Sequence, residues 1–344
     1  MSFALALALV TGCEGAAPVV DASVDLPALE VTAPPDAVDA SAMDAVADDV
    51  PRATPHPGEP GGCNGLVVNC GRTYDRVAIA ATHNAYSYAA GGPVRYIFPN
   101  QDLPISEQLR AGIRGLGLRP CPYYGADPDE ADRVYVTHNT DLRGRLGTER
   151  LDGILREIKA FLDANPREVV TLYLESAVTP ARVAAVFDEV GLTPRLFTLE
   201  RAGEWPTLQA MIDAGRRLVV FNDSRDASRP PWMLHLWDHI VDTDYNVTAA
   251  SGFSCAFYRG RGENSIYYLN QFIYRDLGMG VVVPDAELAR QANDRDAVVA
   301  RARRCLAETG RAASVVYVDW FGQGDVVGAV DALNRMYAGA DGGT

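Results

Sequence analysis

Two histidines, one arginine and three carboxylates stand at the ends of apolar runs in this chain. His83 follows "AIAAT", Arg119 follows "GIRGLGL" and His138 closes "RVYVTH". Glu175 closes "EVVTLYLE", Asp223 closes "RLVVFND", and Asp319 falls near the end of "SVVYVDW". Imidazole titrates near neutrality, so a pair of histidines can serve as general base and general acid. An arginine between them would grip a phosphate with its planar fork and stabilise charge developing on it. An aspartate beside one imidazole would fix its tautomer and stabilise its protonated form. Together the set suits cleavage of a phosphodiester by an internal hydroxyl nucleophile. On composition alone, a pair of hydrogen-bonded core histidines is the preferred reading, so placement decides.

Groups this far apart in sequence meet only if a scaffold brings strand ends together. Strand-like runs cover residues 76–82, 112–118, 133–138, 168–175, 217–223, 239–245, 266–272 and 314–320. Several are nearly continuous in β-branched or aromatic residues, as expected of strands buried on both faces. Helical periods lie between many of them. "ERLDGILREIKAFLDAN" puts Leu151, Ile154, Leu155, Ile158, Phe161 and Leu162 on one stripe, and Asn165 and Pro166 end it. "PISEQLRAG", "TPARVAAVFDEVG", "WPTLQAMIDAG" and residues 284–309 read similarly. The alternation predicts a TIM-type β/α barrel, regular or irregular, with a doubly wound open sheet as the competing arrangement. In a barrel, reactive groups sit where strands end at the C-terminal face, which is where the six residues fall.

The chain has 344 residues, 48% hydrophobic and 22% charged, enough for one large domain after an N-terminal region is set aside. "MSFALALALVTGC" is too short to span a bilayer and reads as a secretory signal, residues 1–13, ending in a lipobox-like "VTGC". Cys13 would then carry lipid, and a plain cleaved signal is the other reading. Residues 14–60 carry ten Asp or Glu against one Arg, nine of the fourteen net negative charges, with no helical or alternating period. They read as a disordered linker, His56 included. Residues 61–344 form the folded domain, mildly acidic and without a basic stripe, which argues against nucleic acid. Cys63 and Cys70 are spaced for a local disulfide and Cys255 with Cys305 for a long-range one, leaving Cys121. Sequence does not fix the pairing, and free buried thiols remain the alternative. Disulfides would suit an exported protein. His235 and His239 in "WMLHLWDH" read as surface or interface residues, and Asp223 and Asn270 as contacts to a sugar head group or as structural.

The ordered segments "THNAYS" (82–87), "NQDLPISEQLRAGIRGLGLR" (100–119), "VYVTHN" (134–139), "FLDANPREVVTLYLE" (161–175), "WPTLQAMIDAGRRLVVF" (205–221), "YYLNQF" (267–272) and "VYVDWFGQGD" (316–325) are similar to those of the phosphatidylinositol-specific phospholipase C X-domain family. The opening from Cys63 resembles the secreted bacterial and fungal members. The resemblance implies a phosphoric diester hydrolase with His83 as general base, His138 as general acid, and Asp319 orienting the first histidine. Asn84 matches a position that ligates metal in calcium-dependent members.

Two departures bear on mechanism. Calcium-dependent members carry acidic residues in the segment matching "GLGLR", where this chain has Gly117 and Arg119. Arg119 resembles the arginine of metal-independent bacterial enzymes, and a guanidinium repels a divalent cation. A Glu175–Arg119 ion pair is therefore expected, with no cofactor. The alternative places calcium on Asn84 and Glu175. A different class of reading is a catalytically impaired barrel that binds a phosphorylated lipid or glycan head group. The expected partners are a phospholipid or phosphoinositide-like substrate and a membrane surface reached through the lipid anchor. The expected location is the bacterial cell envelope or the exterior.

Overall fold

The computed structural model describes residues 52–89, 98–124, 127–137, 148–200 and 204–341. The described chain opens with one helical turn, α1 (Val67–Cys70), then β1 (Ile79–Thr82), α2 (Ile105–Arg110) and β2 (Gly115–Leu118). Next come β3 (Pro120–Pro122), β4 (Val134–Thr137), β5 (Thr148–Arg150), α3 (Leu151–Ala164), β6 (Val170–Leu174), α4 (Pro180–Val190), α5 (Leu208–Asp213) and β7 (Leu218–Asn222). Strand β8 (Met233–His235), the turn α6 (Leu236–His239), β9 (Ile240–Asp242) and β10 (Ile266–Asn270) lead to a hairpin of β11 (Tyr274–Gly278) and β12 (Val281–Pro284). Helices α7 (Ala286–Ala292) and α8 (Arg295–Thr309), strand β13 (Val315–Val318) and helix α9 (Val326–Asp341) complete it.

Eight strands pair in parallel in the order β8-β7-β6-β2-β1-β13-β10-β9. That is chain order around a TIM-type β/α barrel, open at one seam. Among the described residues no ladder joins β8 to β9, and only the single turn of α6 connects them. Alternation along the strands divides the apolar residues between two layers. Ile79, Ala81, Tyr173, Val219, Phe221, Tyr268, Val315 and Tyr317 fill the barrel interior. Leu116, Leu118, Leu172, Val220, Leu269 and Val316 face the helices outside. The stripe expected on α3 is buried there, apart from Phe161, which is half-buried with the Arg114 guanidinium 4.9 Å above its ring.

Three sequence expectations change. The run at 133–138, expected as the third barrel strand, forms β4 of a separate antiparallel sheet, β3-β4-β5. Its apolar run marks a buried strand but not the partner it chooses. The missing barrel strand is β8, so Glu175 and Asp223 follow the third and fourth barrel strands rather than the fourth and fifth. His235 ends β8 and is buried, so it is not a surface group, while His239 is half-buried and packs edge-on against Trp205.

The third change concerns residues 52–60. Acidic composition suggested a linker, yet specific hydrogen bonds tie this stretch to the barrel's N-terminal face. The Ala53 N–H donates to Glu107, and the His56 N–H to the Arg110 carbonyl. The His56 ring lies 2.9 Å from Asp331, and Glu59 pairs with Arg335 at 2.6 Å. Residues 1–51 lie outside the described residues.

Disulfides Cys63–Cys70 and Cys255–Cys305 are both present, and Cys121 is buried outside them. The second closes a loop with a sequence separation of 50, worth about 4 kcal/mol by loop entropy. Replacing Cys255 and Cys305 together by Ser should therefore cost about 2–4 kcal/mol in urea unfolding. A loss no larger than for the Cys63 and Cys70 pair would contradict that ranking.

Candidate active site

The end of β1 is built from small residues because the interior beside it is crowded. Ala81 faces Gly115 of the neighbouring strand, where even a Cβ would come within 2.5 Å of the alanine methyl. The parallel ladder runs on to His83, whose N–H donates to the Val318 carbonyl. Asn84 then takes a left-handed turn, φ +45°, a conformation that asparagine tolerates better than most residues. The turn is pinned as the Ala85 N–H reaches the Gly117 carbonyl.

His83 is buried, and its Nδ1 lies 3.0 Å from Asp319 Oδ1. Phe272 stacks on the imidazole at 4.9 Å with 9° between planes, and Tyr317 leans on it at 5.5 Å. Asp319 also accepts from Asn100 Nδ2 at 3.0 Å, and the Asn100 carbonyl accepts from Asn84 Nδ2 at 3.2 Å. The carboxylate thus holds one ring nitrogen, Nδ1.

The segment after the turn supplies this network, and sequence reading missed its residues. Gln101 Nε2 donates to the His83 carbonyl at 2.7 Å and the Val318 carbonyl at 3.1 Å, binding the ends of β1 and β13 together. Gln108 accepts from Thr82 and donates to the Ala85 and Leu103 carbonyls. All three amides are buried. Their signal was present as polar residues within a segment that otherwise packs on the core.

Arg119 continues the inward face of β2 and pairs with Glu175 at 3.0 Å. Burial works against the Arg119 charge, but Glu175 and the surrounding tyrosines outweigh it and raise its pKa. Arg119 is the main cause holding Glu175 below the ordinary carboxylate range, after which burial opposes and His83 and Arg259 assist. His83, Arg119, Glu175 and Asp319 therefore share one field at the C-terminal face. His138 lies outside the described residues. Thr137, the residue before it, donates its N–H to the Arg119 carbonyl at 3.4 Å.

Asn270 is engaged elsewhere. Its amide donates to Asp242 at 3.2 Å and the Thr243 carbonyl at 2.5 Å. Asp242 in turn binds Arg259, whose guanidinium lies 4.6 Å from the Trp237 ring and 4.5 Å from that of Tyr245. This second pair beside the site was also missed, because Arg259 sits in a loop with no periodic pattern. Asn84 likewise spends its amide on Asn100, with the Tyr86 hydroxyl 3.5 Å from its carbonyl oxygen.

The residues do not fit calcium. Glu175 is committed to a guanidinium and Asn84 to its neighbours, and among the described residues no group of three or more His, Cys, Asp or Glu could hold a metal.

A family model for PI-PLC X 1 matches residues 69–334. The chain belongs to the PI-PLC X domain family. A PI-PLC X domain-containing protein 1 from Arthroderma benhamiae is 28% identical, the match covering 80% of this chain and 90% of that protein. An uncharacterized secreted protein of the same fungus is 26% identical over 80% of this chain and 64% of its own length. The phosphatidylinositol-specific phospholipase C of Listeria monocytogenes has the same fold, with TM-score 0.51, 16% identity, and 77% of this chain and 94% of that one covered. A Staphylococcus aureus phosphatidylinositol-specific phospholipase C variant superposes with TM-score 0.52 at 17% identity, covering 77% and 93%.

Asp223 accepts the Ser176 N–H at 3.1 Å, and burial first, then Glu175, pushes its pKa up to about 6. Because the folded value lies above the unfolded one, the residue favours folding below about pH 4. That contribution is lost as pH rises through about 6. Asp223→Asn should thus melt at the wild-type temperature near pH 4 and several degrees higher at pH 7.5. A pH-independent difference would contradict the shift.

Proposed function

We propose that this protein is a phosphodiesterase of the phospholipase C type, acting without metal on a phospholipid whose head group bears a hydroxyl beside the phosphate. The observation that carries the reading is the buried His83–Asp319 pair at 3.0 Å, beside the Arg119–Glu175 pair at the same end of the barrel. His83 Nε2 removes the proton from the vicinal hydroxyl, and Asp319 steadies the imidazolium that forms. The freed oxygen attacks phosphorus in line. Arg119 offsets charge building on the phosphoryl oxygens, with Glu175 fixing one side of its fork. His138 protonates the leaving lipid oxygen, giving a cyclic phosphodiester and a lipid alcohol. The family match and the placement of Thr137 beside Arg119 support that role for His138.

The same reading makes the partner a membrane surface. Leu277 and Met279 are 54% and 101% exposed on the β11–β12 hairpin, which rises from the end of β10 at the catalytic mouth. Tyr258 is exposed on the β9–β10 loop, its ring 5.6 Å from that of Tyr245 just past the end of β9. No helix among the described residues is long and apolar enough to cross a membrane. A lipidated Cys13 in an exported protein would provide attachment, and two disulfides suit an oxidising compartment.

Phosphorus NMR of phosphatidylinositol cleavage in EGTA tests the reaction, with a cyclic inositol phosphate as the expected product. His83→Ala should lower the rate about 10²–10⁴-fold. Product only with calcium would overturn the metal-independent mechanism, and binding without turnover would favour an impaired barrel. Leu277→Asp with Met279→Asp should slow cleavage of vesicles and leave cleavage of a short-chain monomeric lipid unchanged. Equal losses on both would remove the hairpin from membrane contact.

A further inference from the structure

Gly115, Gly117 and Arg119 share the inward face of β2, yet neither glycine has a positive φ. Backbone conformation therefore does not require glycine at either position, and space does. A Cβ at Gly115 would lie 3.0 Å from a ring carbon of Tyr173. A Cβ at Gly117 would lie 1.7 Å from the Tyr317 hydroxyl oxygen and 2.9 Å from its Cζ. Tyr317 comes from β13, two places away around the sheet, so its hydroxyl is delivered across the interior into the space of a residue-117 side chain.

That hydroxyl belongs to the site. The Tyr317 ring is 5.5 Å from the His83 ring and 4.7 Å from that of Tyr268. Burial first, then Glu175, raises its pKa above the ordinary tyrosine value, while Tyr268 and Arg119 oppose. It is a neutral phenol at physiological pH. A carboxylate in this space would compete with phosphate for Arg119, whereas a phenol can donate to phosphate.

Resting on the phosphodiesterase reading, we infer that Tyr317 is a substrate-contacting residue. Its hydroxyl takes the side-chain space of position 117 and offers the phosphate a neutral donor beside Arg119. Gly117 and Tyr317 then act as one unit: the glycine makes room, and the tyrosine supplies the polar atom. The unit adds no carboxylate at position 117 beside the Arg119–Glu175 pair, so nothing there competes with phosphate for the guanidinium.

The test uses four full-length proteins: wild type, Gly117→Ala, Tyr317→Phe and the double variant. In thermal melts, Gly117→Ala should lose several degrees, and the same change in the Tyr317→Phe background should lose much less, since the nearest atom is gone. Equal losses in both backgrounds would overturn the shared space. Calorimetric titration with inorganic phosphate in EGTA reads the donor. Tyr317→Phe should bind about tenfold more weakly, the equivalent of one hydrogen bond of about 1.4 kcal/mol. Undiminished binding would overturn the donor role while leaving the phosphodiesterase reading intact. A wild-type protein that binds no phosphate would overturn the donor role, with lipid cleavage deciding the phosphodiesterase reading separately and the melting cycle the shared space.

Discussion

Asp319 is a carboxylate with 2% of its surface exposed, and much of the site answers to the cost of keeping it there. A buried ion is stable only when donors replace the water it has lost. His83 and Asn100 supply them at Oδ1, Oδ2 being buried without a donor among the described residues, and Asn100 is itself held by Asn84. Fixing those partners requires the ends of β1 and β13 to stay in register, which Gln101 ensures by bonding the main chain of both. The imidazole's orientation is thus a property of two adjacent strands and a returning loop, not of one residue.

The second organising constraint is volume. The barrel interior holds Tyr74, Tyr173, Tyr268 and Tyr317 with Phe221 and Trp205, and these rings fit because alanines and glycines give way around them. Tyrosine fills space like a hydrocarbon and carries one polar atom at its tip, so a crowded interior can still end in hydroxyls where the chemistry begins. The Arg119 and Arg259 guanidiniums sit at that boundary, each paired with a carboxylate from a strand end. Such pairs are partly exposed, and their value lies in aiming charge more than in raising stability.

Much of the fold was legible because barrel strands are apolar on both faces and their ends are abruptly polar. Glu175, Asp319 and His83 could be picked out on that ground, and so could the ion pair to Arg119. The run containing His138 could not be assigned correctly, because a short buried strand looks the same whether it joins the barrel or the side sheet. Strand β8 was hidden by its length, three residues just after Pro230 and Pro231. Asn100, Gln101 and Gln108 were hidden for another reason. Their partners are carbonyls and side chains brought close only by the fold, and a lone amide in a sequence does not announce which backbone it will hold. Asn270 stands at a strand end like the others, and its amide is bonded to Asp242 and the Thr243 carbonyl.

The stretch from Ala53 to Glu59 docks on the N-terminal face of the barrel, while His83 and Arg119 open at the opposite end. The molecule therefore has a fixed polarity, with its upstream chain at the stern and its chemistry at the bow. A surface that meets the bow and a partner that binds the stern would therefore touch different residues, and both could engage one molecule at the same time.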